Sequence, residues 1–312
     1  MIQFDLKDIG VIDKENQTVA TELFNTLYVN KEKRCRFKIG VIQIIGGYGI
    51  LERAERIDAR SIKECIIKHA KDSTFSIYNE AVLQHISHSR LKKYDLEWAI
   101  AEVYDIFKKQ SVVYFSMQYI NGCQLHTFLL KSLNPEKDFI DCLLQVSVVL
   151  YYLERDLYLD HRDLRYANIF VVSNKKTFNY TSSSETYTFD SDFHICLLDF
   201  GFACVGKNST LINASEEIFH SSERCFKPGR DLFQLLCSLW SIPEIRNRMS
   251  STFQAVVDSW FSYKDTNYSN LVKNIKKADW SYVLTSEDSF TFLPLVPENL
   301  IKTLRSLKNK YI

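Results

Sequence analysis

The chain has 312 residues, 46% hydrophobic and 25% charged, and its 39 basic and 38 acidic side chains leave a net charge of +1. This composition excludes disorder as the default and gives enough chain for one large domain or two lobes with sizeable cores. The balanced charge gives no bulk attraction to nucleic acid or an anionic membrane, no apolar run has the length of a membrane span, and the first residues lack a basic-then-apolar leader pattern, so an intracellular protein is expected.

From Arg36 to Leu51 the sequence alternates toward β-structure and then breaks at Gly46, Gly47 and Gly49. A glycine-rich turn lets backbone N–H groups approach a phosphate closely, although a plain hairpin turn fits as well. Against the pattern G-x-G-x-x-G-x-V, Gly46 and Gly49 take the second and third glycine positions and Leu51 the valine position, while Ile44 replaces the first glycine. The next strand, Glu64 to Lys68, ends in a lysine placed to reach phosphates. Lys63 and Lys71 compete for that role, but Lys68 directly follows the apolar pair Ile66 and Ile67.

A helix is predicted from about Ser76 to Ser87, with Ala81, Val82 and Ile86 spaced for a buried face. Its Glu80 is either the carboxylate that pairs with Lys68 or a solvated surface acid. Strands at Trp98–Phe107 and Val112–Gln118 complete a five-stranded antiparallel sheet, and Tyr119 to Gly122 reads as a hinge. Backbone groups from Gln118 to Ile120 suit the edge of a planar base, with Met117 lining the back of its pocket. Ile140, Leu143, Leu144, Val146, Val149, Leu150 and Leu153 then mark a long buried helix over Phe139–Asp156.

Two motifs follow, the first leading into the apolar run Ile169–Val172 and the second preceded by Ile195–Leu198, two runs that read as short buried strands. The first is His161-Arg162-Asp163 with Asn168 five residues after the aspartate; the second is Asp199-Phe200-Gly201. Either alone fits an ordinary charged loop or turn, but together they place carboxylate and amide oxygens as phosphoryl transfer requires. Asp163 orients and deprotonates a hydroxyl, Asn168 and Asp199 ligate magnesium, and Arg165 brings positive charge toward the transferred phosphate.

Between the motifs, Ser173 to Phe193 is rich in Asn, Ser, Thr and Lys and reads as an inserted loop or hairpin. No A-P-E triplet follows Gly201, and none of Ser209, Thr210, Ser215, Ser221 or Ser222 stands out. Arg162 has Glu216 and Glu217 as potential acidic partners. Asp231 opens a further apolar helix, either as a plain N-cap or as a reach to the catalytic-loop backbone. The eight cysteines show no C-x-x-C spacing and are expected to be reduced, buried thiols, and the histidines show no zinc-site spacing.

In this order, over roughly residues 37 to 240, the parts resemble the eukaryotic protein kinase superfamily. The insertion, the missing A-P-E and the short region after Ser238 look most like haspin-like kinases and those of large DNA viruses. Retention of D-F-G and of Arg165 departs from the haspin type. The resemblance implies an α+β, bilobal fold: a small antiparallel N-lobe sheet with one helix, and a mainly helical C-lobe. It divides the chain into an N-terminal extension at 1–36 packing on the N-lobe, the N-lobe at 37–118, a hinge at 119–122 and the C-lobe at 123–312. It implies a protein kinase using ATP and Mg2+, with a protein substrate of possible basic character. Gly46, Gly47, Gly49, Leu51, Lys68, Met117, Gln118 and Ile120 are the implied nucleotide contacts. Serine or threonine is the expected acceptor because the tyrosine-kinase proline-rich signature is not visible, and the hydroxyl type stays open. A pseudokinase scaffold and a small-molecule phosphotransferase are the alternatives.

Overall fold

The computed structural model describes residues 36–45, 49–57, 61–71, 77–109, 112–183, 185–206, 212–213, 225–274, 284–285 and 290–311. Gly46, Gly47, the N-terminal extension up to residue 35, and Ser209, Thr210, Ser215, Glu216, Glu217, Ser221 and Ser222 lie outside the described residues. The chain divides into two units, one running to Asn121 and including Asp199–Cys225, the other formed by Gly122–Leu198 and Phe226–Ile312.

The first unit is built on β1 (Arg36–Ile45), β2 (Gly49–Ile57), β3 (Ile62–Ala70), α1 (Tyr78–Leu91), β4 (Val103–Lys109) and β5 (Val112–Gln118). The strands form a five-stranded antiparallel sheet in the order β1-β2-β3-β5-β4. Strand periodicity of two sorts the side chains. Ala70 and Phe115 pack with Ile77, just before α1, and Ala81 within it, whereas Ala54, Cys65 and Ile67 pack with Phe37, Tyr104, Phe107 and Tyr114. Lys68 shares the parity of Ala70 and therefore faces the helix.

The strand expected from Trp98 begins instead at Val103, because Glu97–Ala99 forms a 3-10 turn. The Trp98 indole N–H donates to the Asp95 carbonyl at 2.9 Å, and Leu96, Ala99, Ile100 and Ala101 are buried almost in succession. Apolar residues at those positions reflect a buried turn rather than one face of a strand.

The second unit opens with β6 (Cys123–Gln124), α2 (Leu125–Lys131) and α3 (Pro135–Leu157). Proline in the first turn of α3 costs no helical hydrogen bond, and Tyr158 ends the helix in the left-handed region at φ 48°. Most of the apolar stripe of α3 has no solvent exposure. β7 (Ile169–Val172), β8 (Lys176–Thr181), β9 (Thr186–Ser191) and β10 (His194–Leu197) follow. β10, β7 and β6 form one small sheet, and β8 and β9 pair as a hairpin that accounts for the polar insertion. Gln145 of α3 donates to Ser191 Oγ and the Phe193 carbonyl and accepts from the Ile195 N–H, tying the end of the hairpin to the core.

The rest of this unit is mainly helical: α4 (Arg230–Trp240), α5 (Pro243–Arg246), α6 (Ser251–Trp260), α7 (Ser269–Asn274) and α8 (Pro297–Tyr311). Every residue of α4 is buried, so this helix serves as a core onto which loops are fastened. Among the described residues no helix is long and apolar enough to cross a membrane. An antiparallel sheet in the N-terminal region and a mostly helical C-terminal part give the α+β class read from the sequence.

Candidate functional site

In the first unit, sheet parity turns Lys68 toward the first turn of α1. Its Nζ lies 2.6 Å from Glu80 Oε1 and 2.8 Å from Asp199 Oδ1. Lys68 and Glu80 are buried, while the Asp199 side chain is 46% exposed. Burial by itself depresses the Lys68 ammonium, but the Asp199 and Glu80 carboxylates outweigh it and hold the lysine above its ordinary value. Glu80 is pushed up to about 7, chiefly by burial with help from the Asp199 charge and against the pull of Lys68. Lys63 and Lys71, the competing lysines, are not in this cluster.

Two glycines let these groups meet. A Cβ at Gly49 would lie 3.1 Å from Lys68 Cε and 3.3 Å from the His69 carbonyl. One at Gly201 would stand 3.1 Å from Asp199 Oδ1 and 3.5 Å from Glu80 Oε2. Leu51 pairs directly with Lys68 across the β2–β3 ladder. Asp199 occupies the left-handed region at φ 61°, uncommon for a residue with a Cβ, and the Gly201 N–H donates to its Oδ1 at 3.4 Å.

The buried face of α1 carries a polar stripe spaced by four residues: Glu80, Gln84 and His88. The Gln84 amide donates to the Ala101 carbonyl at 2.8 Å and contacts Met117 Sδ at 3.4 Å, and His88 Nδ1 lies 3.0 Å from the Ile100 carbonyl. The helix that presents Glu80 is thus fastened at two further points to the chain leading into β4. Gln118 commits its N–H to the Glu102 carbonyl, while Ile120 lies beyond the end of β5.

The second unit gathers the residues of the first motif around Asp163. Asn168 Nδ2 donates to Asp163 Oδ2 and to the Asp163 carbonyl, both at 2.9 Å, and Arg165 Nε lies 3.2 Å from Asp163 Oδ1. The Asn168 amide oxygen therefore remains the acceptor end of that side chain. The Asn168 carbonyl accepts from the Leu198 N–H at 2.9 Å, and His161 Nε2 lies 3.0 Å from the Leu198 carbonyl, fixing the residue that precedes Asp199.

Asp231 does not N-cap its helix. Gly229 occupies the cap position, and the Asp231 carboxylate accepts from the backbone N–H groups of His161 and Arg162 at 2.8 and 2.9 Å. Arg162 sits at φ 62° and is 2% exposed. Asp231 is pushed up to about 6, mainly by burial against those two N–H groups and the nearby Arg230 and Arg162. Asp160 is pushed up to about 7 by burial, with Arg230 opposing.

The structure brings Lys68, Glu80 and Asp199 together in one unit and Asp163, Arg165 and Asn168 in the other, while Gly49, Leu51, Met117, Gln118 and Ile120 belong to the first. Sequence reasoning missed Gln84, His88, Asp160 and Arg230, none of which falls in a short motif. The only signal for Asp160 was an acid beside the apolar Leu159, which by itself indicates nothing. The expectation that all cysteines are reduced is corrected: Cys204 and Cys225 form a disulfide across 21 residues, with Cα atoms 5.8 Å apart. Folding, not local spacing, makes that pair.

Among the described residues there is no group of three or more His, Cys, Asp or Glu placed to hold a metal ion. Magnesium needs no such cage, since it keeps water and substrate phosphates and takes only one or two protein oxygens. Each unit offers a hard oxygen donor of the kind it prefers: the half-exposed Asp199 carboxylate in the first, and in the second the amide oxygen of Asn168, whose Nδ2 is committed to Asp163.

Compared with known proteins, the chain matches the family model described as a protein kinase domain over residues 45–223, more than half its length. It is also similar to the probable kinase 098L of Invertebrate iridescent virus 3, at 25% identity over 202 residues. That stretch is 62% of this chain and 36% of the relative, so the chain spans little more than a third of the viral protein's length.

Proposed function

The chain belongs to the protein kinase domain family, and from that premise we propose that it transfers the γ-phosphoryl group of Mg2+-ATP to a serine or threonine hydroxyl of a protein. The observation that carries this reading is Lys68 held between Glu80 and Asp199 at 2.6 and 2.8 Å. A buried lysine kept charged and straight by a helix carboxylate is the device by which kinases grip the α and β phosphates.

Asp163 orients the acceptor hydroxyl and takes its proton, with its carboxylate aimed by the Asn168 amide and Arg165. Arg165, half-exposed beside Asp163, offers a fork of donors to the transferred phosphate where many kinases use lysine. By the sequence pattern, Gly46, Gly47, Gly49 and Leu51 belong to the segment that would cover the phosphates. Met117, Gln118 and Ile120 take the adenine, the last two through backbone groups, although the Gln118 N–H already serves the Glu102 carbonyl. Asp199 and Asn168 would hold the divalent cation, which when bound neutralises charge on the β and γ phosphate oxygens.

The test is transfer of labelled γ-phosphate from Mg2+-ATP to the chain itself and to histones as a basic protein mixture, followed by phosphoamino-acid analysis, with Asp199→Ala as control. Label on serine or threonine that disappears in the variant is the expected result. Label on tyrosine would refute the acceptor assignment, and nucleotide binding without transfer would refute the kinase reading.

A further inference from the structure

Beneath Asp163 lies a buried charge cluster in which two carboxylates cross over. Asp231, at the start of α4, accepts from the His161 and Arg162 backbone N–H groups. In the reverse direction Asp160, at the start of the loop, accepts the Lys227 N–H at 2.8 Å and pairs with Arg230 Nε at 3.3 Å, both just before Asp231. Each segment thus grips the other through a carboxylate. Asp160, Arg162, Lys227, Arg230 and Asp231 are each at most 2% exposed. A third tie runs from the Tyr166 N–H to Ser238 Oγ at 3.1 Å, one turn from the other end of α4.

We propose that Asp160 is a positioning residue for the transfer reaction, fixing the start of α4 against the catalytic loop so that Asp231 and the His161–Arg162 backbone aim the Asp163 carboxylate. This rests on the kinase reading. Asp163 follows a residue in the left-handed region, so its direction depends on the peptide units that Asp231 holds. Asp231 can hold them only where the Lys227–Arg230 turn places it, and that turn, closed by the Arg230 N–H on the Lys227 carbonyl at 3.1 Å, is what Asp160 grips. The opposite end of Lys227 is fixed as well, its Nζ donating to the Thr285 carbonyl at 2.8 Å.

The charges facing Asp160 come from several elements. Arg230 and Asp231 approach from α4, Arg162 from the loop, and the half-buried Glu154, raised well above the ordinary carboxylate range by desolvation and by Asp231 and Asp160, from α3. In such a medium a carboxylate cannot be neutralised without leaving an arginine uncompensated. An isosteric amide at position 160 keeps an acceptor but loses the grip on Arg230.

The test compares wild type, Asp160→Asn, Asp160→Glu and Arg230→Lys by steady-state transfer kinetics and by hydrogen exchange at single amides. For Asp160→Asn we expect kcat to fall about tenfold, the scale of a sub-ångström misplacement of a reacting group, with the KM for ATP unchanged. Asp160→Glu should recover part of the loss, and Arg230→Lys, which retains the charge, should show the same pattern should Asp160→Asn not fold. Exchange should accelerate at the His161 and Arg162 amides, which the Asp231 carboxylate holds, as well as at Lys227. Unchanged kcat in Asp160→Asn, or lost kcat with the His161 and Arg162 amides still protected, overturns the proposal. If wild type transfers nothing, the kinase reading fails separately, and protected His161 and Arg162 amides in Asp160→Asn would still overturn the clamp.

Discussion

Lys68 is held by two carboxylates of different character. Asp199 is half-exposed, whereas Glu80 is buried and pushed up to about 7 by that burial. The folded state therefore holds a proton on Glu80 more tightly than the unfolded chain does. This contribution to stability is fully present below the ordinary glutamate value and is lost as pH rises through about 7. His85 acts in the opposite sense: burial and His88 push its ring down to about 4, so its contribution is present above the ordinary histidine value and is lost as pH falls toward 4. Glu80→Gln retains His85 and removes only the glutamate. Thermal melts from pH 5 to 8 should show wild type losing on the order of 1–3 kcal/mol more stability than Glu80→Gln as pH rises. Parallel curves for the two proteins would disprove the assignment. Lys68, Glu80 and Asp199 were legible because the motifs fix their order and strand parity turns Lys68 toward the helix; Gln84 was not, since a glutamine inside a helical pattern shows no preference for a carbonyl in the turn before β4.

The β8–β9 hairpin is an element whose sequence looks dispensable and whose packing is not. Its buried side chains, Phe178, Tyr180 and Phe189, alternate with exposed Thr177, Asn179 and Thr188. Tyr152 of α3 accepts the Thr181 N–H at 2.9 Å and donates to the Asn179 carbonyl at 3.2 Å. The C-terminal helix α8 completes the assembly. Lys308 pairs with Asp141 of α3 at 2.5 Å and stands 4.7 Å from the Phe189 ring, while Arg305 pairs with Glu185 and lies 4.2 Å over Tyr187. Burial raises the Asp141 carboxyl and Lys308 pulls it back. Lys308→Met leaves Asp141 buried without its cation and should cost about 3 kcal/mol in urea unfolding, whereas the double change Asp141→Leu with Lys308→Met should recover most of that loss. A Lys308→Met variant as stable as wild type would show that the pair contributes nothing. The polar composition of 173–193 announced an insertion, and its hairpin became visible only once the alternate residues had a helix to bury against.

At the scale of the whole molecule, the chain leaves the first unit after Asn121, returns to it at Asp199 and leaves again after Cys225. The returning excursion begins with the Asp199 motif and is closed by the Cys204–Cys225 disulfide, beside the short ladder pairing Cys204–Val205 with Ile212–Asn213. A cross-link over 21 residues restricts the unfolded chain and is worth about 3 kcal/mol by loop-closure entropy. Dithiothreitol should lower the unfolding midpoint of wild type, and a Cys204→Ser, Cys225→Ser double variant should start lower and ignore the reductant. A wild-type midpoint that does not move on reduction would mean the bond contributes no stability.

The sequence by itself determined the class of fold and the family resemblance, and it singled out the residues proposed for the chemistry. Those depend on short-range rules: alternation for strands, helical spacing for α1 and α3, and motifs whose members lie within a few residues of one another. Only the tertiary structure decided who partners whom at a distance. Asp231 meets the backbone of His161 and Arg162 across about 70 residues, Lys308 meets Asp141 across 167, and Asp160 meets Arg230 and Lys227. The physical reason is that a buried charge needs a compensating partner, while a linear chain of 38 acids and 39 bases offers many candidates of equal chemistry. Packing selects among them: Lys227, Arg230 and Asp231 meet the loop that carries His161 and Arg162, and Lys308 of α8 meets Asp141 of α3.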